Sequence, residues 1–133
     1  MKTDETSPNY DIAGQIIGCA MEVHREMGHG FNEAVYQNAL AIELRDQGFT
    51  VVLEKKIKVY YKGHVVGNYS ADVFVNELII LELKSIRTLA PEHEVQLVNY
   101  LTATGVSQGL LINFGATSLE FKKKFKDYIK PNN

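Results

Sequence analysis

Two runs of β-forming residues with a short polar break between them constrain the fold of this chain most. Asn76 and Glu77 form the break, and a tight turn there would pair the two runs as an antiparallel hairpin. That pairing would bring Asp72 of the first run near Glu82 of the second. Because side chains alternate along a strand, Glu82 and Lys84 should project from the same face.

The chemistry of this hairpin indicates a metal site. Asp72 and Glu82 are carboxylates on apolar strands, and their repulsion falls when a hard divalent cation with oxygen ligands lies between them. Lys84 could position or activate a water molecule, or stabilise negative charge that develops on a phosphate oxygen. This combination matches metal-dependent hydrolysis of a phosphodiester. The alternative is an ordinary Glu–Lys pair on the solvated face of a sheet.

Length and composition narrow the class of protein. The chain has 133 residues, 45% of them hydrophobic, which is enough for one domain with its own core. We expect a flexible segment at residues 1–10 and a single domain at residues 11–130. No apolar run reaches membrane-spanning length and no signal peptide is visible, so we expect a cytoplasmic protein with no membrane partner. The single cysteine, Cys19, excludes an internal disulfide and a cysteine-rich zinc site.

The charge balance limits how the chain could hold a nucleic acid. A net charge of −2 gives no overall attraction to a polyanion, so a local basic patch or a metal ion would have to provide it. Two lysine groups, at positions 55–58 and 122–126, could contact phosphates or could form solvated faces. A second copy of the chain or a protein partner could extend the binding surface.

Hydrophobic periodicity predicts the element order ααβββαβα, an α/β fold in which an antiparallel meander and a parallel fourth strand form a mixed sheet flanked by helices. The predicted elements are a helix from Asp11 to about Met27, a helix capped by Asn32 and ended by Gly48, strands at 51–60 and 64–75, a strand ending at Lys84, a helix from Pro91 to Gly105, a strand at 109–114, and a helix that begins at Thr117 or Ser118. The last helix is predicted from an apolar stripe formed by Phe121, Phe125, Tyr128 and Ile129.

This order of elements, with its Asp followed by Glu-x-Lys, resembles the restriction-endonuclease-like core of the PD-(D/E)XK nuclease superfamily. Ala71 and Asp72 stand where the superfamily has Pro-Asp, and Glu82 and Lys84 fit its Glu-x-Lys. The departure at Ala71 keeps the ligand position, because the proline shapes the strand and does not bind metal. The resemblance covers nearly the whole chain.

Two further segments strengthen the resemblance. Residues 30–36, with Gly30, Glu33 and Tyr36, resemble the signature of the GxxExxY protein family, a small branch of the superfamily. Gln96 and Tyr100 fit the Q-x-x-x-Y pattern of its exonuclease-like branches.

The resemblance implies a specific set of site residues. Glu33, Asp72 and Glu82 would bind Mg²⁺ or Mn²⁺ together with the backbone carbonyl of Leu83, and Lys84 would act beside the attacking water. Glu33 begins a predicted helix, where the positive end of the helix dipole favours its ionised form. Without the family, Glu33 can equally be a simple charge at a helix N-terminus.

A second face carries candidate residues on the predicted crossover helix. Gln96 and Tyr100 are one helical turn apart and His93 lies one turn earlier, so the three share a face. Gln96 would hydrogen-bond a catalytic carboxylate or a phosphate oxygen, and Tyr100 would orient Lys84 or stack on a base. Alternatively, Tyr100 is a core aromatic and Gln96 a surface amide. We expect Tyr36 to pack its helix against the sheet, although its hydroxyl could reach the metal shell.

Taken together, these residues predict a metal-dependent nuclease that uses Mg²⁺ or Mn²⁺ to hydrolyse phosphodiester bonds, with DNA as the expected nucleic-acid partner. Asp72, Glu82 and Lys84 carry the chemistry in this interpretation. A catalytically silent module of the same fold, which binds nucleic acid or protein, is the alternative function. A purely structural role, with ordinary ion pairs between these charges, is the third.

Overall fold

The computed structural model describes residues 12–126, and its elements follow the order ααβββαββ. The helices and strands are α1 (Ile12–Met27), α2 (Glu33–Asp46), β1 (Val51–Tyr61), β2 (His64–Val75), β3 (Ile79–Lys84), α3 (Pro91–Thr104), β4 (Gln108–Asn113) and β5 (Glu120–Phe125). The segment expected to be flexible at residues 1–10 lies outside the described residues, as do Tyr128 and Ile129. Within residues 12–126, no helix is long and apolar enough to cross a membrane.

The five strands form one mixed sheet in the order β1-β2-β3-β4-β5. All neighbouring strands are antiparallel except β3 and β4, which are parallel. Parallel neighbours cannot be joined by a tight turn, and α3 provides the crossover between them. The predicted fold class, an antiparallel meander followed by a parallel fourth strand, is confirmed.

The last predicted element is wrong, because Glu120–Phe125 forms strand β5 and not a helix. Phe121 and Phe125 would share a face of a helix, but residues four apart also share a face of a strand, so their spacing fits both structures. The free edge of β4 decides between them, because β5 pairs with that edge and satisfies its backbone groups. Both phenylalanines stay exposed, and Lys124 Nζ contacts a carboxylate oxygen of Glu94 on α3 at 3.0 Å.

A tight turn sets the register of the β2–β3 hairpin, as the sequence predicts. Asn76 and Glu77 both have left-handed backbone conformations, with φ of 53° and 56°. Two consecutive left-handed residues match the twist of an antiparallel hairpin. The Asn76 side chain also accepts a hydrogen bond from the backbone N of Thr50 at 2.8 Å. In the resulting register Val73 pairs with Leu81. Asp72, the residue before Val73, therefore lies beside the end of β3.

The sheet is covered on both faces. Helices α1 and α2 pack on one face through a buried cluster that includes Ile16, Tyr36, Leu40, Leu44, Leu81, Leu83 and Phe114. Helix α3 packs on the other face through Tyr69, Phe74, Ile80, Leu97, Leu101 and Leu111. Strands β3 and β4 are therefore apolar on both sides, as expected of central strands. Cys19 belongs to the first cluster, where burial raises the pKa of its thiol, in agreement with a core role.

A buried polar network holds the loops that follow β3 and β4. The side chain of Asn113 is fully buried, and its Oδ1 accepts hydrogen bonds from the backbone N atoms of Ile86 and Gly115, both at 3.0 Å. Its Nδ2 donates to Glu120 Oε1 at 2.8 Å, and the same oxygen accepts from the backbone N of Leu89 at 3.0 Å. The network ties the loop after β3 to the loop after β4.

We expect Asn113→Leu to lower the free energy of unfolding by about 2–4 kcal/mol, because it removes a buried acceptor and leaves the part-buried backbone N–H groups of Ile86 and Gly115 without their partner. Urea denaturation measures the difference. Asn99→Leu, at an exposed position of α3, is the control and should change stability by less than about 0.5 kcal/mol. Equal stability of the two variants would contradict a structural role for the network.

Candidate functional site

Strand pairing orients the carboxylate of Asp72. Its Oδ2 accepts a hydrogen bond from the backbone N of Leu83 at 2.8 Å, so a side chain of β2 is fixed by the backbone of β3. Burial raises the pKa of Asp72, and the negative charges of Glu54 and Glu33 raise it further. The hydrogen bond from Leu83 and the charge of Lys84 act in the opposite direction. The carboxylate is thus held in place and kept close to neighbouring acids.

Asp72 opens onto a cavity of about 220 Å³ where α2, β1, β2 and β3 meet. Its lining residues are Glu33, Ala34, Gln37, Glu54, Asp72 and Leu83. The structure therefore brings together three of the four predicted metal-binding residues, namely Glu33, Asp72 and Leu83. Glu82 does not line this cavity.

Glu82 instead contacts the α3 side of the sheet. Its carboxylate accepts a hydrogen bond from the hydroxyl of Tyr69, and the Tyr69 ring stacks on Tyr100 with ring centroids 3.8 Å apart. Burial, followed by the charge of Asp72, raises the pKa of Glu82 to about 7. The charge of Lys84 favours the ionised forms of both Asp72 and Glu82, so the ammonium lies within electrostatic reach of both carboxylates.

Two candidate residues of α3, Gln96 and Tyr100, contact each other, and Tyr100 also contacts the Glu82 side of the site. Tyr100 packs against the second core cluster, and its hydroxyl accepts a hydrogen bond from Nε2 of the exposed Gln96 at 3.4 Å. Tyr100 thus reaches Glu82 through Tyr69. The roles predicted for Gln96 towards a phosphate and for Tyr100 towards Lys84 stay predictions. His93 serves its own helix, because its Nδ1 accepts from the backbone N of Ala90 at 3.0 Å.

The start of α2 places Glu33 at the mouth of the cavity. Asn32 is the predicted N-cap, and its side chain accepts from the backbone N of Val35 at 3.2 Å. Tyr36 is fully buried, stacks on Phe114 with centroids 4.6 Å apart, and donates to the backbone O of Gly28 at 2.6 Å. The expectation that Tyr36 packs this helix is confirmed, and its hydroxyl holds the loop that precedes Glu33.

Three residues near the site escape the sequence-based prediction: Gln37, Glu54 and Tyr69. Gln37 Nε2 donates to Glu54 Oε2 at 2.7 Å and to the backbone O of Asp72 at 2.8 Å, which ties α2 to β2. Ser70 Oγ donates to Glu54 Oε1 at 3.0 Å. The one signal for Gln37 is its position one helical turn after Glu33, and Tyr69 resembles any strand aromatic.

Glu54 occupies a left-handed backbone conformation inside β1, with φ of 54°. Such a conformation costs a non-glycine residue about 1–3 kcal/mol, and the two hydrogen bonds to its carboxylate help to hold it. In a regular strand Leu53 and Ile57 would share a face, but Leu53 packs with the first core cluster and Ile57 with the second. The irregularity at Glu54 therefore lets β1 change faces beside Asp72.

The lining chemistry suits a hard divalent cation. The cavity presents carboxylate and carbonyl oxygens and no sulfur or imidazole ligand, which is the donor type that Mg²⁺ and Mn²⁺ prefer. Over residues 12–126, no three His, Cys, Asp or Glu side chains already form a cluster that could hold a metal ion. The residue types therefore fit a cation, and the ligand set itself stays a prediction.

The raised pKa of Glu82 predicts that stability depends on pH in metal-free buffer. A glutamate in the unfolded chain titrates near 4.5, so between that pH and about 7 the folded protein binds more protons and loses stability as the pH rises. Glu82→Gln should reduce this loss by about 1–3 kcal/mol between about pH 5 and pH 8. Urea denaturation in EDTA tests it, with the exposed Glu92→Gln as control. An unchanged pH dependence in Glu82→Gln would contradict the prediction.

Comparison with known proteins identifies related folds. The crystal structure of LHK-Exo in complex with dAMP matches with 12% identity and a TM-score of 0.55, over 93% of this chain and 74% of that one. A second crystal structure of LHK-Exo, an alkaline exonuclease from Laribacter hongkongensis, matches with 13% identity, a TM-score of 0.52 and the same coverage of 93% and 74%. SSO0001 matches with 14% identity and a TM-score of 0.51, over 89% of this chain and 79% of that one. Identities this low show a shared fold.

The family assignment comes from the sequence itself. No curated protein matches the chain. The model of the PD-(D/E)XK nuclease superfamily, in contrast, matches residues 10–125, a span that includes the hairpin of Asp72 and Glu82 and the crossover helix. Because this match covers most of the sequence, the chain belongs to the PD-(D/E)XK nuclease superfamily.

Proposed function

We propose that this protein is a nuclease of the GxxExxY branch that hydrolyses phosphodiester bonds of DNA with Mg²⁺ or Mn²⁺ as cofactor. The observation that carries the proposal is the placement of Asp72, fixed by the backbone of Leu83 in a cavity that Glu33 also lines, with Glu82 and Lys84 within electrostatic reach. Neighbouring half-buried acids with raised pKa values beside a cation are typical of catalytic sites.

The proposed ligands are Glu33, Asp72 and Glu82, with the carbonyl oxygen of Leu83. A bound divalent ion would supply a water molecule of lowered pKa and neutralise charge on the phosphate. In the reaction, the water gives up a proton to solvent and its oxygen bonds to phosphorus, while the bond from phosphorus to the leaving oxygen breaks. The leaving oxygen keeps the electron pair of that bond and takes up a proton from solvent. Lys84 would orient the water and stabilise the negative charge that accumulates on the phosphate oxygens.

The contacts around the carboxylates support defined positioning roles. The hydrogen bond from Tyr69 fixes one oxygen of Glu82, and the stacking of Tyr69 on Tyr100 transmits the position of α3 to that carboxylate. Gln37 fixes the distance between α2, which carries Glu33, and the strand that carries Asp72. Gln96 is exposed and, in this proposal, hydrogen-bonds a phosphate oxygen of the substrate.

LHK-Exo is an alkaline exonuclease, which makes linear DNA the first substrate to test. Cleavage of linear DNA alone would indicate that the enzyme needs a strand end, whereas cleavage of circular DNA would indicate an endonuclease. The overall charge of −2 favours recruitment through a second copy of the chain or a protein partner. The cytoplasmic location stays a prediction.

We expect Lys84→Ala to reduce the rate of metal-dependent DNA cleavage by about 10²–10³-fold, because it removes a group that stabilises charge in the transition state. Lys62→Ala, at the β1–β2 turn, removes a cation away from the site and should keep the wild-type rate. Cleavage by purified Lys84→Ala at the wild-type rate would refute the catalytic assignment.

Asp72→Asn should abolish stabilisation of the protein by Mn²⁺. Asparagine keeps an oxygen that can accept the hydrogen bond from Leu83, so the variant removes the charge and preserves the contact. A ligand that binds only the folded state raises the melting temperature, and wild type but not the variant should gain stability in millimolar Mn²⁺. Asp46→Asn, at the end of α2, is the control.

The same experiment separates the two functions. Stabilisation by Mn²⁺ without cleavage of linear, circular or single-stranded DNA would favour the catalytically silent binding module. Equal stabilisation of wild type and Asp72→Asn would refute the proposed metal ligand.

A further inference from the structure

A second cavity, of about 560 Å³, lies where three loops meet at one end of the sheet. Its polar lining residues are His29, Arg87, Thr88, Thr117, Ser118 and Glu120. His29 belongs to the α1–α2 loop, Arg87 and Thr88 follow β3, and Thr117 and Ser118 follow β4. The cavity therefore lies at the carboxyl ends of the parallel pair β3 and β4, the position where open α/β sheets place their ligands.

The walls of this cleft are tied together by hydrogen bonds between loops. Asn113 and Glu120 join the loop after β3 to the loop after β4, as described above. His24 Nε2 lies 2.9 Å from the backbone O of Ala116, and Ser85 Oγ donates to the backbone O of Phe31 at 2.5 Å. A cleft held in this way exists before a ligand arrives, which lowers the entropic cost of binding.

The charges of the cleft favour an anion. Arg87 is exposed, and among the residues that the structure describes no ion pair or hydrogen bond engages its guanidinium. Glu120 is the acidic residue of the lining, and its Oε1 already accepts bonds from Asn113 and Leu89. Arg87 therefore faces the cleft with its donors available, and the hydroxyls of Thr88, Thr117 and Ser118 add further donors.

A phosphate group satisfies this set of donors best. A guanidinium offers a planar fork of N–H groups that matches two phosphate oxygens, and hydroxyls can donate to the remaining oxygen. A neutral or cationic ligand would leave Arg87 without a partner. The size of the cleft also exceeds that of one small ion, which suits a phosphate that is part of a longer chain.

The cleft adjoins the site of Asp72 and Lys84. Arg87 lies three residues after Lys84, and a chain spans at most about 3.6 Å per residue, so their Cα atoms are within about 11 Å. His29, another lining residue of the cleft, lies four residues before Glu33. A nucleic acid strand with its scissile phosphate at Lys84 continues on both sides, and the cleft receives the side that leaves past the end of β3.

We propose that this cleft binds a backbone phosphate of the nucleic acid strand beside the bond that is cut, through Arg87, Thr117 and Ser118. The inference rests on the proposed nuclease function and adds to it a path for the strand. It assigns Arg87 to substrate binding and leaves the chemical step to Lys84 and the carboxylates.

Binding of a fluorescent oligonucleotide, followed by polarisation over a range of salt concentrations, tests the cleft separately from catalysis. The background is Asp72→Asn, so that cleavage does not interfere. Arg87→Gln should weaken binding about tenfold and reduce the dependence of log K on log salt by about one phosphate contact. Lys62→Gln removes an exposed cation at the β1–β2 turn and should retain both the affinity and the salt dependence.

A second variant tests whether the effect of Arg87→Gln on binding is indirect. Thr117→Val keeps the shape and removes a donor, and it should weaken binding in the same direction by a smaller factor. In a wild-type background, Arg87→Gln should raise KM with little change in kcat, because it removes binding and not transition-state stabilisation. Affinity and salt dependence equal to the parent protein in both variants would overturn the proposal.

The outcomes also separate this inference from the nuclease proposal. A loss of binding in Arg87→Gln supports the cleft even where no cleavage is found, whereas cleavage with unaltered KM in Arg87→Gln refutes the cleft and keeps the nuclease. Inorganic phosphate provides the last comparison. Millimolar phosphate could raise the melting temperature of the protein with Arg87 but not of Arg87→Gln, while the two proteins bind the oligonucleotide with equal affinity. In that case the cleft binds free phosphate and the proposed strand path is wrong.

Discussion

The hydrogen bond from the backbone N of Leu83 to Asp72 Oδ2 links the fold to the site, because it exists in one register of the β2–β3 hairpin. A slip of one residue would send every side chain of a strand to the opposite face. The left-handed turn at Asn76 and Glu77 sets that register, and the apolar residues of β3 maintain it from both faces of the sheet. The turn, the core and the carboxylate position therefore form a single constraint.

The placement of Asp72 and Glu82 in the hairpin lowers the stability of the folded chain. Burial raises the pKa values of Asp72 and Glu82, and so do the charges of other carboxylates: Glu54 and Glu33 for Asp72, and Asp72 for Glu82. Hydrogen bonds from Leu83 and Tyr69, together with the charge of Lys84, offset part of this cost. Replacement of buried charged groups by well-packed apolar residues is often neutral or stabilising. Selection for stability alone would therefore favour apolar residues at these two positions. Retention of the cost is expected where the carboxylates have a chemical task.

The hairpin and its Asp, Glu and Lys could be predicted from the sequence, because a two-residue period and a polar break are local signals. The N-cap at Asn32 is equally local, and it places Glu33 in the first turn of α2. Strand β5 and the contacts of Glu54 could not be predicted. Strand β5 forms because an edge of β4 is available for pairing. The contacts of Glu54 depend on its left-handed backbone conformation inside β1 and on two partners from other segments, Gln37 and Ser70. Tertiary contacts override local preference in both.

The two carboxylates depend on different layers of the molecule, although they lie beside each other in the hairpin. Asp72 is tied to α2, because Gln37 donates to its backbone carbonyl, whereas Glu82 is tied to α3 through Tyr69 and Tyr100. The sheet separates these helices, and β2 and β3 are where both sets of contacts meet. A shift of either helix would therefore move one carboxylate relative to the other. The relative position of Asp72 and Glu82 thus depends on the packing of both α2 and α3. A defect in either core layer would disturb the site.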